Sequence, residues 1–138
     1  MTLVVDASVA LKWYVVEPNT PMAWALRDRA DILIAPDLVI PEVCNGAWKA
    51  WRRGELEAQQ RQRIAAHIAQ AYDRLIPSSP LAERALAMAG MLDHPVYDSF
   101  YLALAEMEGG QLVTADRQLR TKTAGTPLGE LVRLLGET

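Results

Sequence analysis

Four acidic residues stand where a fold could turn them to chemistry. Asp6 directly follows the apolar run Leu3-Val4-Val5, and Asp116 lies just beyond Leu112-Val113-Thr114. Glu42 comes early in a helical stretch after the run Ile32 to Ala35. Asp98 sits just after His94-Pro95, in a segment whose neighbours Tyr97, Phe100 and Tyr101 are aromatic. An acid beside such a stripe is unusual, because carboxylates are almost never fully buried unless paired or metal-bound. The four lie far apart along the chain, so only tertiary structure can gather them. Gathered, four carboxylates cannot all stay ionised without a cation. Oxygen donors with neither His nor Cys suit a hard divalent ion, Mg²⁺ or Mn²⁺. Such an ion keeps several of its waters and serves phosphoryl chemistry. Three of the acids also have a local reading that stays open here. Asp6 and Asp116 can cap helices, and Glu42 suits the positive end of a helix dipole.

The smaller polar residues fit around this set. Hydroxyls at Ser8 and Thr114, each two residues from an acid, can orient carboxylates or cap locally. Asn45 shares a helix face with Glu42. Cys44 reads as a small core residue, and His67 and His94 as structural or solvated, with no assigned role. Lys49, Arg52 and Arg53 follow Glu42, and Arg117, Arg120 and Lys122 follow Asp116. Both groups can rim an acidic site and hold a phosphate backbone, or form ordinary solvated helix surface. Trp13, Trp24, Trp48 and Trp51 are more tryptophan than a small core commonly needs, which points to an interface for one or more of them.

The elements that must position these residues can be read from periodicity. Short apolar runs at Leu3–Val5, Ile32–Ala35 and Leu112–Thr114 read as buried strands, with further candidates at Leu75-Ile76 and Leu131–Leu134. Helical stripes run through Val39, Val43, Ala47 and Trp51; through Ile64, Ile68, Ala71, Tyr72 and Leu75; through Ala82, Ala85, Leu86 and Ala89; and through Tyr97, Phe100, Tyr101, Leu104 and Ala105. Ser79-Pro80 reads as a helix start. Strands alternating with helices predict an α/β domain with a mostly parallel sheet, whose ligands gather beyond the carboxyl ends of the strands. The acids at 6 and 116 fall there.

Composition bounds the rest. At 138 residues a single domain spanning 1–138 is expected. A net charge of −3 gives no global positive field for nucleic acid. One cysteine precludes an internal disulfide and a Cys-based zinc site, and suits a reducing compartment. Asp6 interrupts the first apolar run, and no uncharged stretch approaches the ~18 residues of a membrane span. A cytoplasmic protein without membrane contact is the expectation. A phosphoacceptor receiver domain, of similar size and sheet, would need an acidic pair at the first strand and an acceptor Asp at the third. Neither is present.

Four blocks, in this order and spacing, resemble a PIN domain of the VapC type, the toxin ribonuclease of a toxin–antitoxin pair. They are Val4-Val5-Asp6-Ala7-Ser8-Val9-Ala10-Leu11-Lys12-Trp13, Pro41-Glu42-Val43-Cys44-Asn45, the run from Leu92 to Ala105 that contains His94-Pro95-Val96-Tyr97-Asp98-Ser99-Phe100-Tyr101, and Leu112-Val113-Thr114-Ala115-Asp116-Arg117-Gln118-Leu119. The third is the most specific. The resemblance implies a five-stranded parallel sheet of order 3-2-1-4-5 flanked by helices. It implies Mg²⁺- or Mn²⁺-dependent endonucleolytic cleavage of RNA, with Asp6, Glu42, Asp98 and Asp116 as the metal-binding acids and Thr114 as an accompanying catalytic hydroxyl. It further implies a homodimer and a small VapB-type antitoxin lying over the first helices, including Lys12–Val16. A non-catalytic PIN-fold module that only binds its antitoxin or RNA is the alternative.

Overall fold

The computed structural model describes residues 1–29 and 31–137. Five strands, β1 (Thr2–Val5), β2 (Ile32–Pro36), β3 (Arg74–Ile76), β4 (Gln111–Thr114) and β5 (Val132–Leu134), form one sheet. Every pairing is parallel, and the order is β3-β2-β1-β4-β5. Val4 of the central strand lies opposite Ile34 on one side and Leu112 on the other. Leu3, Val4 and Val5 are wholly buried, as a strand covered on both faces must be, which is why β1 reads as an uninterrupted apolar run. A Cβ at Gly110 would collide with the Thr2 carbonyl oxygen, so glycine lets β4 start tight against β1.

Among the described residues, seven α-helices cover the sheet: α1 (Ala7–Ala10), α2 (Thr20–Arg27), α3 (Val39–Arg52), α4 (Ala58–His67), α5 (Ala82–Leu92), α6 (Val96–Glu108) and α7 (Arg117–Thr123). Helix α6 lies against β1, β2 and β4 and is covered in turn by α5. It is therefore buried on most of its circumference from Tyr101 to Ala105. This placement carries Asp98, in its first turn, to the carboxyl edge of the sheet.

Several expected elements shift. The stripe from Ile64 to Leu75 is not one helix. Helix α4 stops at His67, a 3₁₀ turn spans Ile68–Ala71, and Leu75 belongs to β3. The cause is a two-point clasp on β2: Asp73 N–H donates to the Leu33 carbonyl, and the Leu33 N–H donates to the Asp73 carboxylate, both at 2.8 Å. That clasp draws the chain into the sheet, while Ile64, Ile68 and Tyr72 keep their buried spacing. Ser79-Pro80 opens a 3₁₀ turn, Ser79–Leu81, and α5 begins only at Ala82. The buried face of α5 runs through Ala85, Met88 and Leu92, where the larger side chains fill the space, and leaves Leu86 in solvent. Trp51 and Tyr97 end their stripes outside the core. Leu131 lies in a 3₁₀ turn, so β5 starts at Val132. Among the described residues, no helix is long and apolar enough to cross a membrane.

Candidate active site

Asp6 leaves the end of β1 into α1, and its carboxylate does two jobs. One oxygen, Oδ1, accepts the Val9 N–H at 3.2 Å, which caps α1, and the Ser8 hydroxyl at 2.6 Å. The other, Oδ2, accepts the Thr114 hydroxyl from β4 at 2.5 Å. Thr114 Oγ1 in turn accepts the Asp116 N–H at 3.1 Å, and Ser8 Oγ accepts the Ala115 N–H at 3.1 Å. The loops after β1 and β4 are thus tied together across the sheet edge.

Asp116 also divides its oxygens. Oδ1 accepts the N–H groups of Gln118 and Leu119 and caps α7, while Oδ2 lies 3.6 Å from His94 Nε2. Asp98 Oδ2 is 2.6 Å from the same ring nitrogen. The ligand atoms of His94, Asp98 and Asp116 all lie within 4.8 Å of one another. Glu42, in the first turn of α3, accepts the Tyr101 hydroxyl of α6 at 2.6 Å. The cap and the site readings of Asp6 and Asp116 hold together, because a carboxylate has lone pairs for both.

Three of the acids hold their protons more tightly than free carboxylates. Burial pushes the Asp6 carboxyl up to about 7, against the lowering pull of the Ser8 and Thr114 hydroxyls, with the Asp98 charge adding to the rise. Burial also raises Glu42, with Tyr101 opposing and Asp98 adding. Asp98 is raised by burial and by Asp116, and His94 works the other way. Asp98 is thus the charge that both Asp6 and Glu42 feel. Desolvated, mutually repelling carboxylates of this kind are a donor set that a hard divalent cation would neutralise, so the residues fit Mg²⁺ or Mn²⁺.

The acids predicted from sequence thus fall in one neighbourhood. Asp98 and Asp116 are closest, Asp6 is tied to the Asp116 backbone through Thr114, and Glu42 approaches from α3. His94, expected to be structural or solvated, is buried, and its ring lies within the cluster. The signal available was its place four residues before Asp98. His67 is exposed, with Nδ1 3.3 Å from Gln70 Oε1. The basic rim is partly engaged elsewhere: Arg53 pairs with Glu55, Arg120 with Glu137, and Lys122 reaches the Asp93 carbonyl. Arg52 lies over the Trp48 ring at 5.0 Å. Arg117 and Lys12 line one recess beside Ala115. Trp13 is buried and donates to the Ala23 carbonyl, whereas Trp24, Trp48 and Trp51 are exposed.

A parallel sheet of this strand order, with acids collected at the carboxyl edge, is the arrangement the sequence resemblance implied. The family model "PIN domain" matches residues 3–124, and the chain belongs to that family. It is 38% identical over 124 residues to Ribonuclease VapC3 of Pyrobaculum aerophilum, an alignment that takes in 88% of this chain and 95% of that one. The crystal structure of PAE2754 from Pyrobaculum aerophilum superposes with a TM-score of 0.66 at 27% identity, over 91% of this chain and 90% of that chain. A toxin–antitoxin complex from Klebsiella pneumoniae contains a chain of the same fold, with a TM-score of 0.68 at 20% identity over 99% of both chains.

Proposed function

We propose that the protein is the toxin of a toxin–antitoxin pair, an endoribonuclease that uses Mg²⁺ or Mn²⁺ to hydrolyse RNA. The observation that carries this reading is the convergence of Asp98, Asp116 and, through Thr114, Asp6 at the carboxyl edge of the sheet. The similarity to a protein named a ribonuclease supports it. A divalent ion held by Asp6 and Asp98, with Glu42 and Asp116 beside them, would supply an acidified water and a polarised phosphate.

The chain's own residues do the remaining work. Ser8 and Thr114 fix both oxygens of Asp6, so the carboxylate cannot rotate away from the site. Tyr101 holds Glu42 toward α6. Asp116 keeps Oδ2 directed at the cluster while Oδ1 serves the helix cap. Arg117 lines a recess beside Ala115 and Lys49 follows Glu42 along α3, and in this reading both meet phosphates of a bound strand. Hydrolysis breaks the bond from phosphorus to the 3′ oxygen and leaves a 5′-phosphate and a 3′-hydroxyl. In this reading residues 1–138 act as a single PIN domain in the cytoplasm and form a homodimer. A VapB-type antitoxin silences it by covering the Lys12–Val16 segment. The exposed tryptophans 24, 48 and 51 supply apolar area for such contacts.

The test is to incubate antitoxin-free protein with total RNA, with Mg²⁺ or with EDTA, and to map new 5′ ends. Discrete 5′-phosphorylated ends that appear only with metal are expected. Absence of cleavage, or cleavage indifferent to EDTA, overturns the reading and leaves a binding module.

A further inference from the structure

His94 is the buried member of the acidic cluster that neither the capping contacts nor the acids themselves explain. Its ring is almost fully enclosed, with a side-chain exposure of 3%. The backbone at this corner is fixed by three features. Asp93 takes a left-handed conformation at φ 50°, Pro95 follows, and the His94 N–H donates to the Ala89 carbonyl at 3.2 Å. Lys122 from α7 anchors the Asp93 carbonyl at 2.5 Å, so the corner between α5 and α6 is tied to the helix that Asp116 caps.

The two ring nitrogens have opposite surroundings. Nε2 faces Asp98 Oδ2 at 2.6 Å and Asp116 Oδ2 at 3.6 Å. Nδ1 is buried and has no hydrogen-bond partner among the described residues. At 2.6 Å the pair shares one hydrogen, and with Asp98 as the carboxylate that meets a cation, that hydrogen sits on Nε2. A metal-bound imidazole has the reverse need. Its ligating nitrogen must be bare, and its other N–H almost always donates to a carboxylate, carbonyl or water. Here that second N–H would point into a place with no acceptor, and buried orphaned N–H groups are rare.

We infer that His94 is a positioning residue rather than a metal ligand: its Nε2–H donates to Asp98 Oδ2, sets the rotation of that carboxylate toward Asp116, and leaves Asp98 Oδ1 free to meet the ion. This rests on the metal-dependent reading above. It assigns to His94 what Ser8 and Thr114 do for Asp6, so the acids on both sides of the site are held by donors from outside the acid set.

The test combines two readouts that do not need turnover. The first is the ring tautomer of His94 in ¹⁵N-labelled protein, by long-range ¹⁵N–¹H NMR correlation, in EDTA and then with Mg²⁺ added. The expected result is the Nε2–H tautomer in both. An Nδ1–H tautomer in either state overturns the inference, and a switch to it on adding Mg²⁺ makes His94 a ligand. The second is Mg²⁺ and Mn²⁺ affinity, by calorimetric titration, of wild type, His94→Gln and His94→Leu. Glutamine can place an N–H near the Nε2 position and leucine cannot. Leucine is expected to weaken binding about 10–100-fold, and glutamine to recover most of that loss. Equal affinity in wild type and the leucine variant overturns the inference alone. A wild type that binds neither ion overturns the metal-site reading and the inference with it.

Discussion

Replacing Asp6 with asparagine removes one charge from the most deeply buried acid of the site. The folded carboxyl sits at about 7, against an ordinary value of 3.8. Each unit of such a difference corresponds to about 1.4 kcal/mol, so the ionised side chain costs the native state about 4 kcal/mol once the pH is above both values. The folded form holds its proton more tightly than the unfolded form. The native state therefore carries more protons across this window, and stability falls as pH rises from about 4 to 7. From pH 5 to pH 8 the fall assignable to this group is on the order of 2–3 kcal/mol. Asparagine carries no such dependence. Its amide oxygen can take the place of Oδ1 and keep the Val9 and Ser8 donors. Its amide nitrogen meets Thr114 Oγ1, which loses its acceptor, at a cost of about 1 kcal/mol at every pH. In EDTA, Asp6→Asn should thus lie near wild type at pH 5 and melt roughly 10 °C higher at pH 8. Thermal unfolding followed by circular dichroism at several pH values measures the gap. A gap that stays constant with pH, or that narrows toward alkaline pH, refutes the reasoning.

Three further outcomes follow from the same geometry. Excess Mg²⁺ or Mn²⁺ should raise the melting temperature of wild type, by about 2.7 kcal/mol of stabilisation at a hundredfold excess over Kd, and raise Asp6→Asn and Asp98→Asn less; differential scanning fluorimetry with and without metal reads this, and equal shifts contradict a shared site. Tyr101→Phe removes the hydroxyl that opposes the rise of Glu42, so the acidic limb of the pH–rate profile should move to higher pH, with a stability loss of about 1 kcal/mol; an unmoved limb removes Glu42 from the chemistry. Alanine at Lys49, Arg52 and Arg117 together should weaken RNA binding and flatten its salt dependence, and an unchanged slope in fluorescence anisotropy leaves those residues as solvated surface.

The acids were legible in the sequence because strand ends are marked by abrupt changes from apolar runs to polar residues, and a parallel sheet puts its site there. Asp98 was legible for another reason: an acid embedded among aromatics needs a partner. His94 was missed because its role comes from the corner between α5 and α6. The left-handed Asp93 and the following proline turn the ring back over a helix that has not yet begun, and no helical period records that turn. The break after His67 escaped for a similar reason. The clasp between Asp73 and Leu33 joins residues 40 apart, while the local pattern still satisfies a helical stripe. The stripe of α5 was rotated because its outer Leu86 has the same hydropathy as a core residue, and only packing against α6 decides which face turns inward.

The central claim is that the acids of β1, α6 and the β4–α7 loop form one divalent-metal site. Crystals grown with Mn²⁺ and measured on either side of the manganese absorption edge test it directly. An anomalous peak is expected within about 2.1 Å of carboxylate oxygens of Asp6 and Asp98, with Asp116 and Glu42 around it and His94 still bonded to Asp98. No peak at the carboxyl edge of the sheet, or a peak whose ligands exclude Asp6 and Asp98, would contradict it.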